Sequence, residues 1–396
     1  MDLLIKSFTR ILNALPNHHR RYLYDSIDWE GRLIGLTGAR GTGKTTLLLQ
    51  YIKDNFPQKE KVLYVSLDNI WFTKNSLLDL ADKFDAYGGK YLFLDEVHRY
   101  PNWAIELKNI YDSFPEMYVV FTGSSMLEIY KSNADLSRRA ICYELKGLSF
   151  REFLLLEHKI DFPVFVLNEI LEKHQTIASD IIAKIKILPA FKNYLRYGYY
   201  PIFREGLKSY PNRVHNAINS VLDNDLPSIE HIEYTTIFKI KKLLMLLASL
   251  VPYSPNINAL SNEIESSRAH TLRYLEYLRK AAMIQTYLYP KKSMKMLSKP
   301  DKIYLNNSNL LYILTNENAN IGNVRETFFA NQVSAKYTVN TAKRGDFEVG
   351  EFVFEVGGSS KKYKQIADIP NSYLVVDETE VGYGNKIPLW LFGFLY

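Results

Sequence analysis

Short apolar runs and amphipathic stretches alternate between residues 31 and about 157. Leu33-Ile34-Gly35-Leu36-Thr37, Val62 to Leu67, Tyr91 to Asp95, Tyr118 to Thr122 and Ala140 to Glu144 read as strands, and the stretches near 46–52, 75–84 and 102–112 as helices. That alternation predicts a parallel sheet with helices on both faces. Ahead of it the pattern gives an amphipathic helix and then His18-His19-Arg20-Arg21-Tyr22, a basic cluster expected to be a solvated face. From about 158 to 232 the periodicity is helical, broken at Tyr197-Gly198-Tyr199-Tyr200-Pro201. Asn258 to Ile264, the turn Ser266-Ser267, Ala269 to Met283 and the strand-like Ile284 to Tyr289 then follow the order of a winged helix-turn-helix, with Leu272, Leu275, Leu278 and Met283 as the apolar positions of its second helix. The last segment opens with the helix-like Asn323 to Phe329 and runs through strands to Leu389-Trp390-Leu391-Phe392-Gly393-Phe394.

With 396 residues, 47% of them hydrophobic, the chain can fill several cores. A net charge of +6 permits contact with nucleic acid without arguing for it alone. A single cysteine, Cys142, excludes an internal disulfide framework and a cysteine-based zinc site. His158, His174, His215 and His231 lack metal-ligand spacing. The N-terminus lacks the apolar core of a signal peptide, and no apolar run approaches the roughly 18 to 20 residues that span a bilayer. A soluble cytoplasmic protein with no membrane partner is therefore expected.

The richest chemistry lies in Gly38-Ala39-Arg40-Gly41-Thr42-Gly43-Lys44-Thr45, which fits the phosphate-loop pattern G-x-x-x-x-G-K-[ST] and is followed by a second hydroxyl, Thr46. Glycines at 38, 41 and 43 let successive N–H groups turn inward around a phosphate, Lys44 supplies a mobile cation for the β- and γ-phosphates, and Thr45 offers an oxygen to Mg²⁺. Gly38, Arg40, Gly41, Thr42, Gly43, Lys44, Thr45 and Thr46 are the expected ATP contacts. The strand before the loop and the helix after it complete the required context. One strand–helix unit later, Tyr91-Leu92-Phe93-Leu94 runs into Asp95-Glu96, at the carboxyl end of a strand where open α/β sheets bind ligands. This looks like a Walker B pair, with Asp95 holding Mg²⁺ beside Thr45 and Glu96 polarising the attacking water. Thr122-Gly123-Ser124-Ser125 ends the next strand with groups suited to the γ-phosphate or to an ordinary turn.

These motifs, with Leu94-Asp95-Glu96-Val97-His98, Leu136-Ser137-Arg138-Arg139 and Leu148-Ser149-Phe150-Arg151-Glu152-Phe153, resemble the prokaryotic AAA-type ATP-binding proteins that carry a C-terminal domain of unknown function. The resemblance spans nearly the whole chain. It implies an α/β fold: a P-loop AAA-type domain over 1–157, a helical lid or connector over 158–232, a winged helix over 233–310 and a restriction-endonuclease-like α/β domain over 311–396. In that family the segment before the last strand reads Leu-x-Gly-Arg, so Arg139 matches the catalytic arginine and Arg138 stands where glycine is usual.

The implied activity is ATP hydrolysis with ATP and Mg²⁺ bound, Lys44, Glu96 and Arg139 being the catalytic residues. Its work is to drive or switch contact with a partner, with an oligomer left open and the arginine acting in cis or in trans. Arg268, His270, Arg273, Arg279 and Lys280 on the second winged-helix segment suit phosphates or base edges, whereas Glu276 would repel them. Winged helices also serve as protein contacts, so both nucleic-acid and protein partners stay open. In the last segment Asp346 and Glu355 resemble the acids of a metal-dependent nuclease, but Gly357 occupies the lysine position. Lys361 would have to fold back across Gly358-Ser359-Ser360 to replace it, which makes an inactive domain the expectation. A nucleotide-gated scaffold with little turnover is the remaining alternative.

Overall fold

The computed structural model describes residues 1–15, 19–123, 136, 138–227, 232–250, 252, 254–290 and 299–396. The chain divides into two compact units, one comprising Met1–Gly147 with Asn219–His231 and the other Leu148–Ile218 with Ile232–Tyr396.

In the first unit five strands, β1 (Leu33–Thr37), β2 (Val62–Ser66), β3 (Tyr91–Asp95), β4 (Tyr118–Thr122) and β5 (Ile141–Glu144), form an all-parallel sheet in the order β2-β3-β4-β1-β5. The runs are almost continuously apolar because helices cover both faces of such a sheet. Every residue of β1 is buried. The covering helices are α1 (Asp2–Ala14), which buries Leu4, Phe8 and Leu12 at intervals of four, α2 (Lys44–Asn55), α3 (Leu77–Ala86) and α4 (Trp103–Ser113). A Ser76–Asp79 capping box starts α3, satisfying two N–H groups that the helix itself leaves unpaired. Register pairs Leu36 with Thr122 and Ser66 with Asp95, so the carboxyl ends of β1, β3 and β4 share one edge.

The second unit contains α5 (Phe150–His158), α6 (Leu167–Ile182), α7 (Ile187–Asn193) and most of α8 (Tyr210–Ser220). It continues with α9 (Tyr234–Leu250), α10 (Ile257–Glu263), α11 (Arg268–Lys280) and the antiparallel pair β6 (Ile284–Tyr287) and β7 (Lys302–Leu305), the element order of a winged helix-turn-helix. After α12 (Ser308–Leu314) and α13 (Ile321–Ser334) comes a mixed sheet in the order β12-β11-β10-β9-β8. Its strands are β8 (Asn340–Thr341), β9 (Phe347–Val349), β10 (Phe352–Gly357), β11 (Ser372–Val376) and β12 (Lys386–Pro388).

The units depart from the expected boundaries. Residues 148–157, assigned from sequence to the ATPase domain, fold with the second unit because the Phe150 ring packs on Phe191, Tyr194 and Phe394. The stretch 158–232 is not a separate lid: all of it up to Ile218 joins the second unit, and Asn219–His231 joins the first. Leu389–Phe394, expected as a strand, is a 3₁₀ helix with all six residues buried. An unbroken apolar run has no period of two, so burial on every side cannot be read as strand or helix.

Candidate functional site

Gly38, Gly41 and Gly43 have φ of 143°, 83° and 97°, the region closed to most side chains. At Gly38 space is also lacking, since a Cβ there would lie 2.3 Å from the Leu145 carbonyl oxygen. The loop therefore turns as the motif requires. Lys44 is buried, and its Nζ donates to the carbonyl oxygens of Gly38 and Ala39, both at 2.9 Å. Burial pushes its ammonium down to about 8, with Glu96 and Asp95 pulling the other way. Thr42 is fully buried and donates to the Ala39 carbonyl, while Thr46, in the first turn of α2, is half-buried.

Asp95 ends β3 and is buried. Its Oδ2 accepts from Thr45 at 2.6 Å and from Tyr64 at 2.8 Å, and its Oδ1 accepts from the Thr122 hydroxyl. Thr45 Oγ1 and Asp95 Oδ2 are hard oxygen donors side by side, so the residues present fit the Mg²⁺ that the resemblance implies. Thr122, in the stretch read as suited to the γ-phosphate or to an ordinary turn, donates to Asp95, and Ser124 and Ser125 lie outside the described residues. Glu96 has a left-handed backbone, φ 53°, which costs a non-glycine residue about 1 kcal/mol or more and is characteristic of functional positions. Its N–H is held by Asp95 Oδ1 at 3.1 Å and Thr122 Oγ1 at 3.2 Å.

Several residues of this site were not found by sequence. Tyr64 reaches Asp95 from β2. Arg21, read as part of a solvated cluster, is buried: its guanidinium donates to the Thr42 carbonyl in the P-loop and to the carbonyls of Lys146 at 2.8 Å and Gly147 at 3.0 Å. Asp225, on a π-helical turn (Val221–Asp225) that continues α8, has a side chain with no exposure. Around it stand Arg99 at 3.0 Å, Arg40 at 3.7 Å and His98 at 3.7 Å, and His98 also lies 3.4 Å from Glu96. The sequence signal for Asp225 was an acid within Val221-Leu222 and Leu226.

Arg139 is not brought to the P-loop of its own chain. Because Ile141 pairs with Ile34 in parallel strands, Arg139 lies beyond the amino edge of the sheet, a strand length of about 16 Å from the carboxyl edge where the P-loop begins. There it forms a two-bond pair with Asp112 of α4, both contacts at 2.9 Å. Arg138 is exposed and Ser137 lies outside the described residues.

In the second unit Arg268, His270 and Arg273 are exposed on α11, and Arg268 donates to Asn258. Arg279 and Lys280 are drawn to Glu276, at 2.7 Å and 3.8 Å, so the acid expected to repel DNA is already paired within its helix. In the last sheet Lys361 does fold back, its Nζ lying 2.6 Å from Glu355. A Cβ on Gly357 would meet the Lys361 side chain at 2.8 Å, so the displaced lysine fills the space next to the glycine that replaced it. Asp346 accepts from the Val356 N–H at 2.9 Å and faces Lys302 at 3.5 Å. Among the described residues no three His, Cys, Asp or Glu side chains come together as a metal-binding group. No helix among them is long and apolar enough to cross a membrane.

Residues 30–154 match the family model described as an AAA domain, and residues 188–320 match one described as a domain of unknown function (DUF8612). With the P-loop sheet above, residues 30–154 form a P-loop domain of the AAA type, followed by a domain of unknown function over residues 188–320. Among curated proteins it is 30% identical to the uncharacterized protein MJ1637 of Methanocaldococcus jannaschii, over 74% of this chain and 66% of that one. It is 25% identical to MJ1544 of the same organism, over 62% of this chain and 54% of that one. The chain thus spans somewhat less than two thirds of the length of either relative. Among solved structures it is similar to the Walker-type ATPase PABY2304 of Pyrococcus abyssi, at 13% identity and a TM-score of 0.42, covering 77% of this chain and 99% of that one. It also matches the Aeropyrum pernix ORC1 protein solved in complex with DNA, at 10% identity and a TM-score of 0.32, covering 84% and 93%. At those scores neither likeness carries an argument about function.

Proposed function

We propose that the protein binds ATP with Mg²⁺ and hydrolyses it, and that the cycle drives or switches contact with a partner, nucleic acid first and protein second. The observation that carries this reading is the convergence of Lys44, Thr45 and Asp95 at one sheet edge, with Glu96 held next to them on a strained backbone. Lys44 exchanges the carbonyls of Gly38 and Ala39 for the β- and γ-phosphates. Thr45 and Asp95 would hold the Mg²⁺, which when bound neutralises charge on the phosphate oxygens. Tyr64 and Thr122 keep Asp95 turned toward Thr45, and Glu96 orients the water in line with the γ-phosphate. Arg139 can serve this chemistry only at the site of a neighbouring subunit, so Arg139→Ala should abolish any rise of specific turnover with protein concentration.

The test is ATP turnover and nucleotide binding for the wild type, Lys44→Ala and Glu96→Gln, each with and without duplex or single-stranded DNA. Lys44→Ala should lose binding, whereas Glu96→Gln should bind and lose turnover by at least about 100-fold. A Glu96→Gln protein that turns over at the wild-type rate would remove Glu96 from the mechanism. DNA that neither binds nor changes turnover, in the wild type and in Arg268→Ala/Arg273→Ala alike, would favour a protein partner.

A second reading, metal-dependent phosphodiester cleavage by the last sheet, is favoured by one observation. Lys361 lies on Glu355, so a lysine reaches the acid despite Gly357. Plasmid, single-stranded DNA and RNA incubated in Mg²⁺ or Mn²⁺ would decide it. Cleavage that disappears in Asp346→Ala/Glu355→Ala and in Lys361→Ala supports it, and intact substrate returns the domain to the inactive reading.

A further inference from the structure

Asp225 is the chemical group least expected where it stands. A carboxylate with no solvent exposure costs several kcal/mol to desolvate unless cations and donors surround it. The cations that surround it come from the two nucleotide motifs, Arg40 from the P-loop and Arg99 from the turn after Asp95-Glu96, and the His98 ring of the same turn stands beside them. His98 links it onward to Glu96. Its charge also acts on Lys44. A γ-phosphate delivered by the P-loop brings further negative charge to the same cations, and two buried anions cannot both keep full hold of Arg40 and Lys44.

We propose that Asp225 is the counter-charge with which the terminal phosphate of ATP competes, so that residues 219–227 loosen when ATP is bound and hold when ADP is bound. The proposal rests on the nucleotide reading above and adds to it the element that reads the nucleotide. ADP ends at the β-phosphate, within reach of Lys44 and the loop N–H groups, and leaves Arg40 and Arg99 to Asp225. The segment is suited to a yielding role because Asp225 closes a π-helical turn, a local departure from α geometry that is frequent at functional positions. The segment is joined in sequence to the second unit at both ends.

The experiment measures equilibrium binding of ADP and of a non-hydrolysable ATP analogue, both with Mg²⁺, to the wild-type protein and to Asp225→Asn. The expected result is that the substitution tightens the analogue by about tenfold and leaves ADP within about twofold, because only the terminal phosphate contends with the lost charge. Equal weakening of both nucleotides would mean that Asp225 merely supports the fold and would overturn the proposal, as would unchanged affinities. Hydrogen exchange of the wild-type amides at 221–227 gives the second readout. It should quicken with the analogue and not with ADP, and identical exchange in the two states overturns the proposal even if Asp225→Asn fails to fold. A wild-type protein that binds neither nucleotide would instead sink the ATPase reading on which this one rests.

Discussion

Arg20 and Arg21 are neighbours in sequence with opposite fates. Arg20 pairs with Asp54 on the surface, an interaction worth little in solvent, whereas Arg21 ties the P-loop carbonyl of Thr42 to the carbonyls that end the first unit's long segment. Nothing in a basic cluster separates the two, because the difference lies in backbone from far along the chain. Arg21→Met should lower stability by about 2–4 kcal/mol, since it leaves buried carbonyls without donors, and should weaken nucleotide binding in the same protein. Denaturant melts and a binding isotherm check both. Lys44 and the loop glycines were legible for the converse reason: their task is set by dihedrals and charge within a few residues. Asp95 was legible as the end of an apolar strand, but Tyr64 and Asp225 act across the sheet and from a distant segment. In the other unit Glu326 shows a titration that no pattern announces. Burial, aided by Asp346, pushes its carboxyl up to about 7, while the Tyr304 hydroxyl and Lys302 pull it down. The folded state therefore holds this proton more tightly than the unfolded chain, so its contribution to stability is full below about pH 4.5 and is lost as pH rises through about 7. Glu326→Gln should flatten that part of the stability profile, which melts between pH 5 and pH 8 will show.

At the scale of elements, capping explains where α5 begins and why it belongs to the second unit. Ser149 accepts from the Glu152 N–H at 3.1 Å, Glu152 accepts in return from the Ser149 N–H at 3.1 Å, and the Ser149 hydroxyl donates to the Tyr396 carbonyl at 2.7 Å. Ser149→Ala removes the cap and the tie together. It should cost about 1–2 kcal/mol, read as a lower denaturation midpoint with ATP affinity unchanged. The Leu148-Ser149-Phe150-Arg151-Glu152-Phe153 stretch entered the sequence reading only as a family motif, and nothing in it announced its allegiance. That depends on which rings meet Phe150, and those rings come from α7, the Tyr194–Gly198 turn and the Leu389–Phe394 turn. The strands of the first sheet were readable almost to the residue, since four or five consecutive apolar positions between turns fit a covered parallel strand. The same feature hid the 3₁₀ run at Leu389–Phe394, where no alternation exists to be broken.

On the scale of the whole molecule, a linear division at residue 157 fails because the first unit is discontinuous. A fragment of residues 1–157 carries every recognised nucleotide motif but lacks Asp225, so Arg40, His98 and Arg99 lose a shared anion, and the buried Val221, Leu222 and Leu226 are lost with it. It should melt at lower temperature than the full chain and discriminate less between ATP and ADP, which calorimetry and competition binding would measure. The excursion of residues 219–231 also sets an order in time. A ribosome completes the five strands well before it reaches Asp225, and at ordinary elongation rates the delay is on the order of five to fifteen seconds. During that interval the five strands carry their motifs without their acidic partner. Under the nucleotide reading proposed above, a triphosphate present then would meet Arg40 and Arg99 unopposed and stand in for the missing aspartate until its segment is translated.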